Sequence, residues 1–166
     1  VDLATAGFGQ GVAVTPIQMV RAAAAIANGG RLIRPHVVAK LLGPGWEEEK
    51  KLQAGERVIG KEAAAEITNM MVEAAREGEA KWTNISGFKV AGKTGTAQIP
   101  ISGHYDSEKT IASFIGFAPA DDPLIAIVVT VDEPRPYYFG GVVSAPVFKR
   151  IAQEAVNYLR RQRNNY

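Results

Sequence analysis

The sequence predicts an α/β fold of the α+β kind, an antiparallel sheet with flanking helices. Three observations lead there. Strand-like runs at 87–98, 111–118 and 124–132 follow one another closely, and a link as short as Pro119-Ala120-Asp121-Asp122-Pro123 joins antiparallel strands, since parallel ones need a long crossover. Stretches of helical period lie before and after these runs. No repeat, low-complexity tract or linker interrupts the 166 residues, so residues 1–166 read as part of a single domain.

Taken in order, residues 1–14 are glycine-rich and aperiodic, which reads as a loop. Thr15-Pro16-Ile17-Gln18 opens a helix. Thr15 can cap it, Pro16 suits the first helical position, and Gln18 stands where it can close a capping box. Ile17, Val20, Ala24 and Ala27 share one face. The alanines from Ala22 to Ala25 allow a neighbour to approach closely, and Asn28-Gly29-Gly30 stops the helix. Residues 36–42 read as a strand that turns at Gly43-Pro44-Gly45, and the charged 46–57 as a mobile surface excursion. Ala63, Ile67, Met70, Met71 and Ala74 predict a helix over 61–77, ended by Gly78, with the two methionines as core filler.

Residues 87–98 predict the first strand of the sheet, 99–110 a polar loop and 111–118 the second strand. The third, 124–132, is apolar at nearly every position, the pattern of a strand buried on both faces. Residues 133–143 read as a loop. Ser144-Ala145-Pro146 opens a last helix whose apolar stripe is Phe148, Ile151, Ala152, Ala155 and Leu159.

Composition narrows the function. Hydrophobic content of 46% and charged content of 22% are those of a globular protein, and a net charge of +2 implies no nucleic acid partner. Arg160-Arg161-Gln162-Arg163 is a local basic cluster suited to the negative end of a helix. The absence of cysteine excludes disulfides and thiolate metal sites. His36 and His104 are far apart and lack ligand spacing, so no metal is expected. Asp121-Asp122 reads as turn chemistry. Gly7-Phe8-Gly9-Gln10-Gly11 fits neither phosphate-loop pattern, so no nucleotide cofactor is expected. No apolar run approaches the ~20 residues of a membrane span.

Lys93-Thr94-Gly95-Thr96 is the most informative stretch. K-T-G belongs with S-x-x-K and S-D-N to the motif set of serine β-lactamases and penicillin-binding proteins. Its company gives it weight: Gly7-Phe8-Gly9-Gln10-Gly11-Val12-Ala13-Val14-Thr15-Pro16-Ile17-Gln18 upstream, then Ser113-Phe114-Ile115-Gly116-Phe117-Ala118-Pro119, Asp132-Glu133-Pro134 and Tyr138-Phe139-Gly140-Gly141 downstream. Together these blocks resemble the C-terminal part of the transpeptidase domain of class B penicillin-binding proteins, and the division-type branch fits best. One S-x-x-K string occurs, Ser86-Gly87-Phe88-Lys89. It runs into a predicted strand, where residues three apart point to opposite faces, so Ser86 is rejected as the nucleophile. No S-x-N triplet occurs, and the chain starts at Val1 rather than Met, so we expect a fragment or cleaved product that lacks the N-terminal portion of the domain.

The resemblance implies a partial serine β-lactamase/transpeptidase-like fold and an acyltransferase that cross-links peptidoglycan without a cofactor. It implies that the N–H of Thr96 forms half of an oxyanion hole, that Lys93 is a cation with a buried end, and that Lys93 and Thr96 are the catalytic residues of this segment. Thr94, Gly95 and Thr96 would bind substrate: the hydroxyls of Thr94 and Thr96 share a face and can donate to a carboxylate, and Gly95 clears room for a peptide to add to the strand. Tyr138 and Phe139 would flank the cleft, with Tyr105 a weaker candidate of the same kind; Lys89 reads as surface charge. The implied partners are the D-Ala-D-Ala stem peptide, β-lactam antibiotics, the missing N-terminal half and cell-division proteins. The implied location is the outer face of the cytoplasmic membrane, through an anchor outside this sequence. The fragment alone would be inactive, lacking the serine, and its unpaired apolar strand edge would make it behave poorly. A D,D-carboxypeptidase, a β-lactamase-like hydrolase and a non-catalytic penicillin-binding sensor share K-T-G and remain as alternatives.

Overall fold

The computed structural model describes residues 4, 6–7, 9, 11–50, 55–78, 83–101 and 104–164, with only the backbone at 100–101, 104–108 and 164. Helix α1 is Pro16–Ala27, and the capping box forms as its sequence predicts. Thr15 Oγ1 accepts from Gln18 N at 3.3 Å, while Thr15 N donates to Gln18 Oε1 at 2.8 Å. Gly30 N closes the other end on Ala25 O at 2.8 Å, with Gly29 and Gly30 at positive φ. The buried residues are Ala23, Ala24 and Ala25, whereas Ile17, predicted on the buried face, is exposed. Packing through a short alanine patch brings a neighbour to the helix middle and leaves its first turn uncovered.

A two-stranded hairpin follows, β1 (Lys40–Gly43) and β2 (Trp46–Glu49), largely exposed and crossed by a Lys40–Glu47 ion pair of 2.6 Å. β2 lies inside the predicted excursion: a run of three glutamates has no alternation to mark it as a strand. At the base of the hairpin Lys50 N donates to Ala39 O at 2.9 Å.

Helix α2 is Lys61–Glu77, as its period predicts, but the phase differs. Ala64 and Ala75 are buried, while Ala63 and Met70 are exposed. The small side chains let α2 lie close to the sheet, which places them, rather than Met70, at the contact. Ser86 and Gly87 form a tight turn between Ile85 and Phe88, with Gly87 at φ +98°. Ser86 therefore does not face Lys89 across a helical turn.

The main sheet has strands β3 (Ala91–Ile101), β4 (His104–Ala118) and β5 (Ile125–Asp132) in the order β3-β4-β5, all antiparallel. The predicted polar loop at 99–110 instead carries the far ends of β3 and β4, residues 99–101 and 104–110, beyond a register shift between Gln98 and Pro100. Pro100 reads as a break in a strand, and the polar 104–110 has no apolar alternation to mark a strand. β5 is not buried on both faces: Ile127 alone is buried, and Thr130 and Asp132 are exposed. It is an outer strand with a free edge among the described residues. A short helix α3 (Gly140–Val143) occupies part of the predicted 133–143 loop, and helix α4 is Ala145–Asn164.

One core lies under α4. Phe114, Ala118 and Ile127 from the sheet meet Ala145, Phe148, Ala152 and Val156. The Phe114 and Phe148 rings meet edge-on, 4.6 Å apart. Val156 fills a place predicted for Ile151, which is exposed. By strand alternation Ala91 and Phe117, both fully buried, point to the opposite face, where α1 and α2 pack. Phe148→Ala is expected to cost about 3–5 kcal/mol of unfolding free energy, read from urea denaturation; a cost under about 1 kcal/mol would place the core elsewhere.

Candidate active site

Strand pairing decides which way the amides of Lys93-Thr94-Gly95-Thr96 point. Glu133 N donates to Thr110 O and Leu124 N to Ala118 O, each at 3.0 Å, both on the β5 side of β4. Even-numbered residues of β4 thus turn their backbone groups to β5 and odd-numbered ones to β3, because these directions alternate along a strand. Gly95 lies opposite Ser113 and Thr96 opposite Ala112. It follows that Gly95 bonds into the sheet, while the N–H and C=O of Thr94 and Thr96 turn to the side of β3 away from β4, which is an outer edge among the described residues.

Side chains complete the edge. Lys93 points to the other face, yet its ammonium reaches round to donate to Thr94 O at 3.1 Å and Thr94 Oγ1 at 3.2 Å. Contrary to the implied buried end, Lys93 is exposed, because it sits on an outer strand and curls over its outer side. Thr96 Oγ1 accepts from Gly140 N at 3.2 Å. That bond uses an acceptor position of the hydroxyl and leaves its O–H able to donate. Ser113 Oγ donates to Gly95 O at 3.4 Å.

Residues 138–141 are seated on this strand. A Cβ added to Gly140 would stand 2.5 Å from Gly95 O and inside contact distance of Ser113 O, so only glycine lets α3 lie so close. Thr110 Oγ1 donates to Tyr138 O at 3.0 Å, and Ser144 Oγ to Ala112 O at 3.0 Å. Tyr138 and Phe139 stack with centroids 4.4 Å apart and are 39% and 48% exposed. The fold thus brings the K-T-G-T strand and the aromatic pair together across 44 residues of sequence. Gly140, Thr110 and Ser144 were not among the predicted site residues. The double glycine was the one visible signal, since a polar side chain flanking an apolar strand does not reveal its partner. Lys89 is exposed and precedes β3. Phe8, Gln10 and the side chains of Tyr105 and His104 lie outside the described residues. Among the described residues no cluster of His, Asp or Glu could hold a metal.

Comparison with known proteins decides the family. The model of the penicillin-binding protein transpeptidase domain matches residues 1–153. The chain belongs to that family. Stage V sporulation protein D of Bacillus subtilis is 41% identical over 160 residues, covering 94% of this transpeptidase-family chain and 25% of that protein. The peptidoglycan D,D-transpeptidase FtsI of Escherichia coli is 37% identical over 154 residues, covering 91% and 24%. The chain therefore spans about a quarter of these relatives' lengths. Penicillin-binding protein A of Mycobacterium tuberculosis, solved as an acyl-enzyme complex with ceftriaxone, superposes with a TM-score of 0.81 at 31% identity, over 91% of this chain and 34% of that one.

Proposed function

We propose that this chain supplies the edge strand and cleft wall of a serine D,D-transpeptidase that cross-links peptidoglycan and is acylated by β-lactams, with the nucleophilic serine contributed by sequence outside it. The observation that carries this is the amide of Thr96, turned to the outer edge of its strand between the Lys93 ammonium and its own hydroxyl, in a chain of the penicillin-binding family. In acyl transfer the serine oxygen adds to the carbonyl carbon before the terminal D-alanine, and an electron pair moves onto the carbonyl oxygen. The Thr96 N–H meets that charge. The C–N bond then breaks, D-alanine leaves as the protonated amine, and a serine ester remains for a second stem peptide's amine to attack. A β-lactam gives the same ester, but its leaving nitrogen stays tethered. Lys93 holds positive charge beside the developing anion, and Thr94 and Thr96 receive the substrate carboxylate.

The test is labelling of the full-length protein by a fluorescent penicillin. A stable adduct supports a transpeptidase; rapid turnover of the drug would assign a hydrolase instead, and no adduct a non-catalytic module. Thr96→Val keeps the Thr96 N–H but loses both the hydroxyl's donor and its bond from Gly140 N, so KM for a D-Ala-D-Ala peptide should rise about tenfold, and by more than kcat falls. A loss confined to kcat contradicts the carboxylate role.

We infer further that the protein works on the outer face of the cytoplasmic membrane, anchored through sequence outside this chain, beside cell-division proteins. The likeness to FtsI supports this. Among the described residues no helix is long and apolar enough to cross a membrane. A fluorescent fusion distributed through the cytoplasm would contradict it.

A further inference from the structure

We propose that Thr110 is a positioning residue that fixes the aromatic pair Tyr138–Phe139 and so sets the preference for β-lactams that carry an aromatic side chain. The inference rests on the transpeptidase reading above and extends it to a residue outside the K-T-G-T strand. Thr110 is 2% exposed and stands one position before the last β4–β5 pair, Ile111 with Asp132. It binds both ends of the segment that leaves β5. Its carbonyl accepts from Glu133 N at 3.0 Å, and its hydroxyl donates to Tyr138 O at 3.0 Å. Residues 133–138 are thus closed on one side chain and its own backbone.

Two residues past Tyr138, the Gly140 amide donates to Thr96 Oγ1 at 3.2 Å. Phe139 is held between these two anchors, one on each side. The anchors matter because the rings do not place themselves: Tyr138 and Phe139 are 39% and 48% exposed and stack on each other rather than in the core. With so much ring surface in solvent, their location depends on the backbone bonds beneath them. A buried hydroxyl needs a partner, and Tyr138 O is the one Thr110 has. The wall that results adjoins Thr96, whose amide faces the outer edge, so an acyl group bound there carries its side chain beside the two rings.

The experiment measures second-order acylation of the full-length protein by benzylpenicillin, which bears an aromatic side chain, and by 6-aminopenicillanic acid, which bears none. Thr110→Val has nearly the same shape and no hydroxyl. It should slow benzylpenicillin about fivefold, the effect of one neutral hydrogen bond, and change 6-aminopenicillanic acid little. Thr110→Ser, which keeps the donor, should preserve the ratio of the two rates. Equal losses for both drugs, an unchanged ratio in Thr110→Val, or a ratio in Thr110→Ser shifted as far as in Thr110→Val would each overturn the assignment. Thr110→Cys, with only a weak S–H donor, reads the same ratio if the valine variant fails to fold. Acylation of the unsubstituted protein with an unchanged variant ratio removes Thr110 alone. Failure of the unsubstituted protein to be acylated by either drug removes the transpeptidase reading, and this inference with it.

Discussion

Lys93→Ala is expected to slow acylation by penicillin about 100-fold or more, the scale set by losing one preorganised group that stabilises a developing oxyanion. That corresponds to about 2.7 kcal/mol on the barrier. The fold should be almost untouched. Lys93 is exposed, and its bonds are to Thr94, its neighbour on the same strand. Truncating such a surface side chain costs within about 0.5 kcal/mol. Stopped-flow labelling of the full-length protein gives the first quantity and thermal unfolding the second. Labelling at the unsubstituted rate would remove Lys93 from the site, and a large fall in Tm would assign it to the fold instead.

Gly140→Ala should be severe for a different reason. The added methyl would stand 2.5 Å from Gly95 O and inside contact distance of Ser113 O. Both obstacles are main-chain atoms of paired strands, so neither can swing aside as a flexible side chain would. Either α3 lifts, breaking the 3.2 Å bond from Gly140 N to Thr96 Oγ1, or β3 gives way at Gly95. The steric cost is about 1–3 kcal/mol of stability. A shift of about 1 Å at the reacting edge is enough to cost about 100-fold in rate. Denaturant unfolding and penicillin labelling should therefore both report the change. A variant equal to the unsubstituted protein in both would show that residues 138–141 do not rest on the K-T-G-T strand.

Much of the fold was legible because its signals are local. A capping box spans four residues, and it placed the start of α1 at Thr15. Apolar period placed the bodies of α2 and α4 but not their rotation about the axis. Met70 and Ile151 turned out exposed, while Ala64, Ala75 and Val156 are buried. Which stripe faces inward depends on how near the neighbour comes, and small residues let it come nearest. The strand ends at 99–101 and 104–110, and the acidic β2, escaped a sequence reading because Pro100 reads as a strand breaker and the polar 104–110 and acidic β2 lack the apolar alternation that marks a strand. β5 was predicted buried on both faces from composition alone; as an outer strand it is only partly covered.

At the site the division is sharper. Residue order by itself determined that a cation, two hydroxyls and a glycine stand together at 93–96, and that Thr94 and Thr96 share a face, since alternation is covalent geometry within one strand. It also carried the family, through motifs that keep their order along the chain. Only the tertiary structure decided that β3 is an outer strand among the described residues and that the amide of Thr96 points away from β4, because an N–H direction has no meaning until a neighbouring strand takes one edge. The same holds for Gly140 on Thr96 and Thr110 on Tyr138: these bonds cross 44 and 28 residues, and no local preference reaches that far.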